Sequence, residues 1–168
     1  MKILLVKEHE NAVLPKKAND SDFCYDLVAV RREQIAPRVY KYWLGWRMQI
    51  VRDEEPIQYL DEDTIKCFDF STFCGRLDID FRPRSPVWKT GMVLSNCEPT
   101  IDEGFTGEVS AVFYHLLEDM PIYEVGDRVV QMKIGFTFDL CFEETTLENL
   151  NKTDRGDNGY GSSDKRLR

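Results

Sequence analysis

No apolar run in the chain approaches the roughly 18 residues that a membrane-spanning helix needs, so a membrane span is not expected. The start, MKILLVKEHE, moves from a short apolar patch straight into charge and does not have the shape of a secretory signal. Histidine is scarce: His9 and His115 are the only two and lie far apart, so a zinc site is not expected. The five cysteines, Cys24, Cys67, Cys74, Cys97 and Cys141, form no C-x-x-C pair and are odd in number. With no export signal they read as reduced thiols, which places the protein in the cytoplasm. Positive charge is also in deficit. Twenty-two Lys and Arg face 30 Asp and Glu, a net charge of -8, which argues against a passive binder of nucleic acid or of an anionic membrane. An anionic ligand would need a local cluster of cations. No internal repeat is present. At 168 residues, with 42% hydrophobic and 31% charged side chains, the chain is the size of one domain and has enough apolar content to fold.

What the sequence does have is strand signal. Ile3 to Val6 is a short apolar run, Met92-Val93-Leu94 begins another, and Glu108 to Leu116 is rich in Val, Phe and Tyr. The clearest periodicity runs from Arg128 to Glu143. Val130, Met132, Ile134, Phe136, Phe138, Leu140 and Phe142 fall on even numbers and polar or small residues on odd ones. Period two predicts a strand with one buried face, and its length predicts a kink or bulge near Gly135. Thr100 to Gly107, with two glycines and an aspartate, predicts a tight hairpin, and Glu124 to Asp127 another turn. The only helix candidates are weak, near 61–68 and 145–150. Many short strands predict an all-β sandwich or barrel. From Asn151 the composition shifts to Gly, Ser, Asn, Asp and Lys/Arg, which cannot build a core and predicts a mobile arm over 151–168.

Three features carry chemistry. Arg82-Pro83-Arg84-Ser85 places arginine forks beside a hydroxyl, a natural phosphate grip, although such a tetrapeptide alone is more often a surface turn. Asp102 sits in the expected hairpin, where a rigidly presented carboxylate can orient and deprotonate water, or simply shape the turn. In the tail, Arg155, Tyr160, Ser162 and Ser163 lie among glycines, where backbone N–H groups could approach an anion and an aromatic ring could stack on a base.

In order and spacing these features resemble the trimeric dUTPase family, the dUTP nucleotidohydrolases. Five short motifs support the resemblance. They are Ala12 to Pro15 followed by Phe23 to Leu27; Pro83-Arg84-Ser85 leading to Lys89 through Asn96; Ile101-Asp102 through Phe105, Gly107 and Glu108; Gly126 to Met132; and Asp154-Arg155-Gly156 followed by Gly159 to Ser163. The match covers 1–30 and 82–168, and the glycine-rich tail after the Gly126-Asp127-Arg128 strand is its most specific part. The resemblance implies an all-β fold, a distorted jelly-roll or β-clip sandwich, over 1–150, with 151–168 as an arm closing over the active site. It implies hydrolysis of dUTP to dUMP and pyrophosphate with Mg²⁺. Asp102 would activate water for attack on the α-phosphorus. Asn96 would read the uracil edge and Ser110 would lend it backbone groups. Phe105, where the family usually has Tyr, would pack under the deoxyribose and leave no room for a 2′-hydroxyl. Arg84, Ser85 and Gln131 would contact phosphate, and Asp26 would hold Mg²⁺ through water. Arg155, Tyr160 and Ser162 would come from the tail, Tyr160 stacking on uracil. A homotrimer with active sites at subunit interfaces is implied as well.

The chain departs from the family pattern at several points. Phe23 and Cys24 replace a small pair. Pro86 stands where Ser or Gly is usual and removes one backbone donor. Pro99 replaces a glycine, Gly104 an aspartate, and Thr106 a common Arg or Gln. Asp26 and Arg84 are 58 positions apart, longer than the family pattern, which predicts an insert near 38–80 that either elaborates the surface or binds a protein partner. Two other readings stay open. One is a non-catalytic relative that senses nucleotide or binds a partner. The other is dCTP deaminase, which shares the fold, but the position of its proton-shuttling glutamate falls on Val112, which cannot move a proton.

Overall fold

The computed structural model describes residues 2–51, 75–138 and 140–153. The expected helix near 61–68 and the tail beyond Thr153 lie outside these residues, as do Cys67 and Cys74. Among the described residues no helix is long and apolar enough to cross a membrane.

Among the described residues nine strands form two sheets: β1 (Lys2–Lys7), β2 (Tyr25–Val28), β3 (Arg31–Ala36), β4 (Val39–Val51), β5 (Gly75–Pro83), β6 (Met92–Leu94), β7 (Thr100–Ile101), β8 (Glu108–His115) and β9 (Arg128–Phe138). The first sheet runs β1-β4-β8-β6 with β3 also on β4, and the second runs β2-β9-β5-β7. Every pairing is antiparallel. The expected all-β sandwich of jelly-roll type is therefore present. Alternation does the sorting: on β8, Val109, Ala111 and Phe113 are buried, and on β4, Tyr42, Leu44, Trp46 and Met48 are. These meet Leu27, Ile79, Phe81 and Val130 of the second sheet in one core. At its centre Tyr42, Phe113 and Tyr123 pack edge to face, with ring centroids 5.5–6.2 Å apart. The Tyr42 hydroxyl donates to the Tyr123 carbonyl at 2.9 Å, and burial pushes both phenols above their ordinary pKa, Tyr42 far above.

Three expectations are corrected. First, β9 has no bulge at Gly135. Its register with β5 is unbroken from Gly75↔Phe138 to Pro83↔Val130. Gly135 is instead a space requirement, because the Asp78 carboxylate, which accepts from the Thr137 hydroxyl, lies where a Cβ would go. The irregularity in β9 lies nearer its start, where Leu27 and Val28 of β2 pair with Val130 and Arg128 and leave Val129 as the extra residue. Second, the strand stops at Phe138, and the apolar alternation outlasts its burial. Val130 and Met132 are buried, whereas Leu140 and Phe142 beyond the strand are 69% and 92% exposed. Third, Thr100 to Gly107 is not a hairpin. β7 pairs with β5 in one sheet and β8 with β4 and β6 in the other, so the segment crosses between sheets. The tight turn is real within that crossover, where the Phe105 N–H donates to the Asp102 carbonyl at 2.9 Å. The expected turn at Glu124 to Asp127 is present, with Gly126 at φ 96° and the Asp127 carboxylate accepting from the Glu124 N–H. The 145–150 helix candidate is a single 3₁₀ turn, Leu147–Asn149.

The length of β4 depends on Gly45. This residue has φ +75°, and a Cβ on it would lie 2.8 Å from the Ala12 Cβ. The register between β4 and β8 shifts between Trp43 and Arg47 at this point, which brings Arg47 opposite Glu108. Gly45→Ala is expected to lower unfolding free energy by about 1–3 kcal/mol, from left-handed strain plus the clash. Urea denaturation of the two proteins measures it, and an unchanged midpoint would refute the role given to Gly45.

Candidate active site

The second sheet brings distant residues into one row. Asp26 on β2 faces Gln131 on β9, and Gln131 faces Arg82 on β5. Arg84 follows β5 directly, and Ser85 opens the 3₁₀ turn Ser85–Lys89. Asp26, Arg84, Ser85 and Gln131, all expected from the sequence to serve phosphate or metal, line one recess of about 430 Å³ with Asp22, Phe23 and Cys24. Arg84 grips Asp26 with two parallel bonds, Nε to Oδ1 at 2.6 Å and Nη2 to Oδ2 at 3.1 Å. This fork-to-carboxylate geometry is the strong form of an ion pair, and the two side chains are only 19% and 13% exposed. Gln131 donates Nε2 to the Pro83 carbonyl at 3.0 Å, which ties it to the same corner.

Sequence reasoning missed a residue here. Arg128 reaches Asp26 Oδ2 from β9 at 3.0 Å, so a single carboxylate collects two guanidinium groups. The signal was in view, because Arg128 belongs to the Gly126-Asp127-Arg128 motif, but its partner lies 102 positions away and only strand pairing shows it. Lys16 and Lys17 line a smaller recess of about 260 Å³ shared with Asp26 and Arg128. A protein of net charge -8 thus concentrates cations around this one carboxylate. Pro86 also finds an explanation. It sits in the first turn of the 3₁₀ segment, where its fixed φ suits the conformation and the Val87 N–H bonds the Arg84 carbonyl.

The remaining predicted residues lie elsewhere. Asp102 and Phe105 are exposed in the β7–β8 crossover, and Asn96 is exposed at the start of the segment joining β6 to β7. Ser110 lies on β8 opposite Trp43. β7, which leads into Asp102, and β2, which carries Asp26, are the two edges of the four-stranded sheet. Three strand spacings separate them by roughly 14 Å. The Asp26 cluster and Asp102 therefore do not meet within one chain. Arg155, Tyr160 and Ser162 lie outside the described residues. No group of three or more His, Cys, Asp or Glu that could cage a metal occurs among the described residues.

Comparison with known proteins adds the family. No protein-family model matches the chain. A deoxyuridine 5′-triphosphate nucleotidohydrolase from Clostridium novyi (strain NT) is 30% identical over 165 residues, 97% of this chain and 99% of that protein. Among solved structures, a Staphylococcus bacteriophage 80alpha dUTPase with dUPNHPP superposes with a TM-score of 0.62 at 18% identity, covering 96% of this chain and 97% of that one. A dUTPase from phage phi11 of S. aureus, described for its coordination of a structural Mg(II) ion, gives 0.59 at 15% identity, covering 86% and 97%. The structural likenesses match the two-sheet fold. The near full-length sequence identity, carried by a chain whose Asp26, Arg84, Ser85 and Gln131 converge in one recess, shows that this protein belongs to the deoxyuridine 5′-triphosphate nucleotidohydrolase family.

Proposed function

We propose that the protein hydrolyses dUTP to dUMP and pyrophosphate. The observation that carries this reading is the cationic recess built on Asp26, with Arg84, Arg128, Ser85 and Gln131, in a chain of this family. Hydrolysis of a triphosphate requires positioning and charge neutralisation more than covalent help. Arg84 suits the task because Asp26 holds its fork in one orientation, so little side-chain entropy is lost when phosphate binds. Ser85 and Gln131 add neutral donors beside it.

Mg²⁺ fits this donor set in one manner. The two Asp26 oxygens already accept three guanidinium N–H groups, and a carboxylate has about four lone-pair sites. Asp26 could therefore hold the ion through water and is poorly disposed to ligate it directly. Mg²⁺ keeps several waters and is commonly held by substrate phosphates plus one or two carboxylates. When bound it would supply neutralisation of the triphosphate charge.

Asp102 acts as the base that removes a proton from the attacking water. Its place in a tight turn presents the carboxylate away from the core. Asn96 reads the uracil edge, Ser110 lends backbone groups, and Phe105 supports the sugar. The separation between Asp102 and Asp26 leads to a further part of the reading. A complete site needs the Asp102 edge of one chain against the Asp26 edge of another, which a homotrimer provides. The arm 151–168 then contributes Arg155, Tyr160 and Ser162 and excludes water on closure.

Three outcomes are expected. Asp102→Asn lowers kcat by about 10²–10⁴-fold and leaves the Kd for a non-hydrolysable dUTP analogue within a few-fold. Near wild-type turnover would remove Asp102 from the role of base. Truncation after Asn151 abolishes most turnover while the melting temperature stays close to that of the full chain, and full activity without the arm would refute closure. Co-expression of Asp102→Asn chains with Arg84→Ala chains, each inactive alone, restores pyrophosphate release, because some interfaces pair the two intact halves. Mixed oligomers with no recovered activity would argue that each chain completes its own site.

A further inference from the structure

Two features outside the Asp102–Phe105 turn adjoin the Phe105 ring or the backbone beside it. The first is Gly107. A Cβ on Gly107 would meet Phe105 Cζ at 2.6 Å and Cε2 at 2.9 Å, so the ring occupies the space a side chain would take. Gly107 is not one of the glycines with positive φ, so the requirement is for space and not for backbone conformation. Gly104 in the same crossover has nothing within 4 Å of its Cβ position and bears no such constraint. The second contact is made by Arg47, whose Nη1 donates to the Thr106 carbonyl at 2.9 Å. Arg47 is itself held by an ion pair to Glu8 and faces Glu108 in the β4–β8 register. Residue 106, between the ring and its seat, is therefore tied to β4.

We propose that Gly107 and Arg47 are positioning residues for Phe105, and that together they set how strictly the site excludes a 2′-hydroxyl. The inference rests on the dUTP-hydrolysing reading above and names the source of its sugar selectivity. Non-bonded carbon atoms settle about 3.5–4.0 Å apart, so a methyl on Gly107 displaces the ring by about 1 Å. Phe105 is 43% exposed, so its ring has open space to move into. A shift of that size is comparable to the clearance a hydroxyl oxygen needs. Arg47 opposes the same movement from the backbone side.

The test is the ratio of kcat/KM for dUTP to that for UTP, measured on one preparation so that the folded fraction cancels. Gly107→Ala is expected to lower the ratio at least about tenfold, the scale on which a 1 Å misplacement acts. Arg47→Met lowers it in the same direction. In a Phe105→Leu background, Gly107→Ala adds no further change, because the displaced ring is already gone. A purely structural role for Gly107 would reduce turnover of both nucleotides equally. An unchanged ratio in Gly107→Ala, with dUTP still hydrolysed by the wild-type chain, overturns this inference alone, as does a full additional loss in the Phe105→Leu background. A wild-type chain that turns over neither nucleotide overturns the hydrolase reading and this inference with it.

Discussion

The Asp26 carboxylate is the point on which the candidate site depends. It sits on a four-residue strand that pairs with β9 and bridges Lys16 on its other side, and it draws Arg84 from the end of β5 and Arg128 from the start of β9 onto itself. With both carboxylate oxygens engaged and most of its surface covered, the cluster has the geometry in which an ion pair orients its members, and in which losing one partner strands a charge. The same row of the sheet, Asp26↔Gln131↔Arg82, places Gln131 beside Arg84. A register slip of one residue would turn Gln131 to the opposite face and dissolve the recess. The burial of Val130 and Met132 on either side of Gln131 guards against that slip.

The architecture then divides the chemistry. Cations gather at one edge of the four-stranded sheet, while Asp102, the base of the proposed reaction, lies near the other, beyond β7. Holding the two apart within a chain has a physical benefit. An unliganded Asp102 close to Arg84 would form an ion pair with it and compete with phosphate. Separation keeps the arginines occupied by Asp26, a partner that also fixes their orientation. The crossover bearing Asp102 is stiffened locally by the Phe105-to-Asp102 bond and by the Arg47 contact to Thr106.

The legible parts of the site were those whose chemistry is local. Arg84 and Ser85 are neighbours in sequence, and away from the recess the turn that holds Asp102 is announced by its own glycines and aspartate. Arg128 was passed over because its importance lies in a contact spanning 102 positions. The bulge expected at Gly135 was a misplaced cause. A glycine in a strand signals that something approaches closely, and here it is the Asp78 side chain from the neighbouring strand, with no extra backbone residue. The even-numbered apolar run through Phe142 predicted burial that this chain alone does not supply beyond Ile134, since periodicity records which face is apolar and not what covers it.

By itself the sequence determined the all-β class, the strand at β8, the buried face of β9 as far as Ile134, the turns at Asp102 and Gly126, and the family motifs. Each of these is a short-range property, set by side-chain alternation, glycine placement or adjacent residues. Only the tertiary structure decided that the Thr100 to Gly107 segment crosses between sheets, that Asp26 is shared by two arginines, and that Asp102 lies at the other edge of the sheet. Those outcomes follow from which strands pair and in what register, and pairing is settled by the burial of a core drawn from the whole chain, which no local stretch of residues specifies.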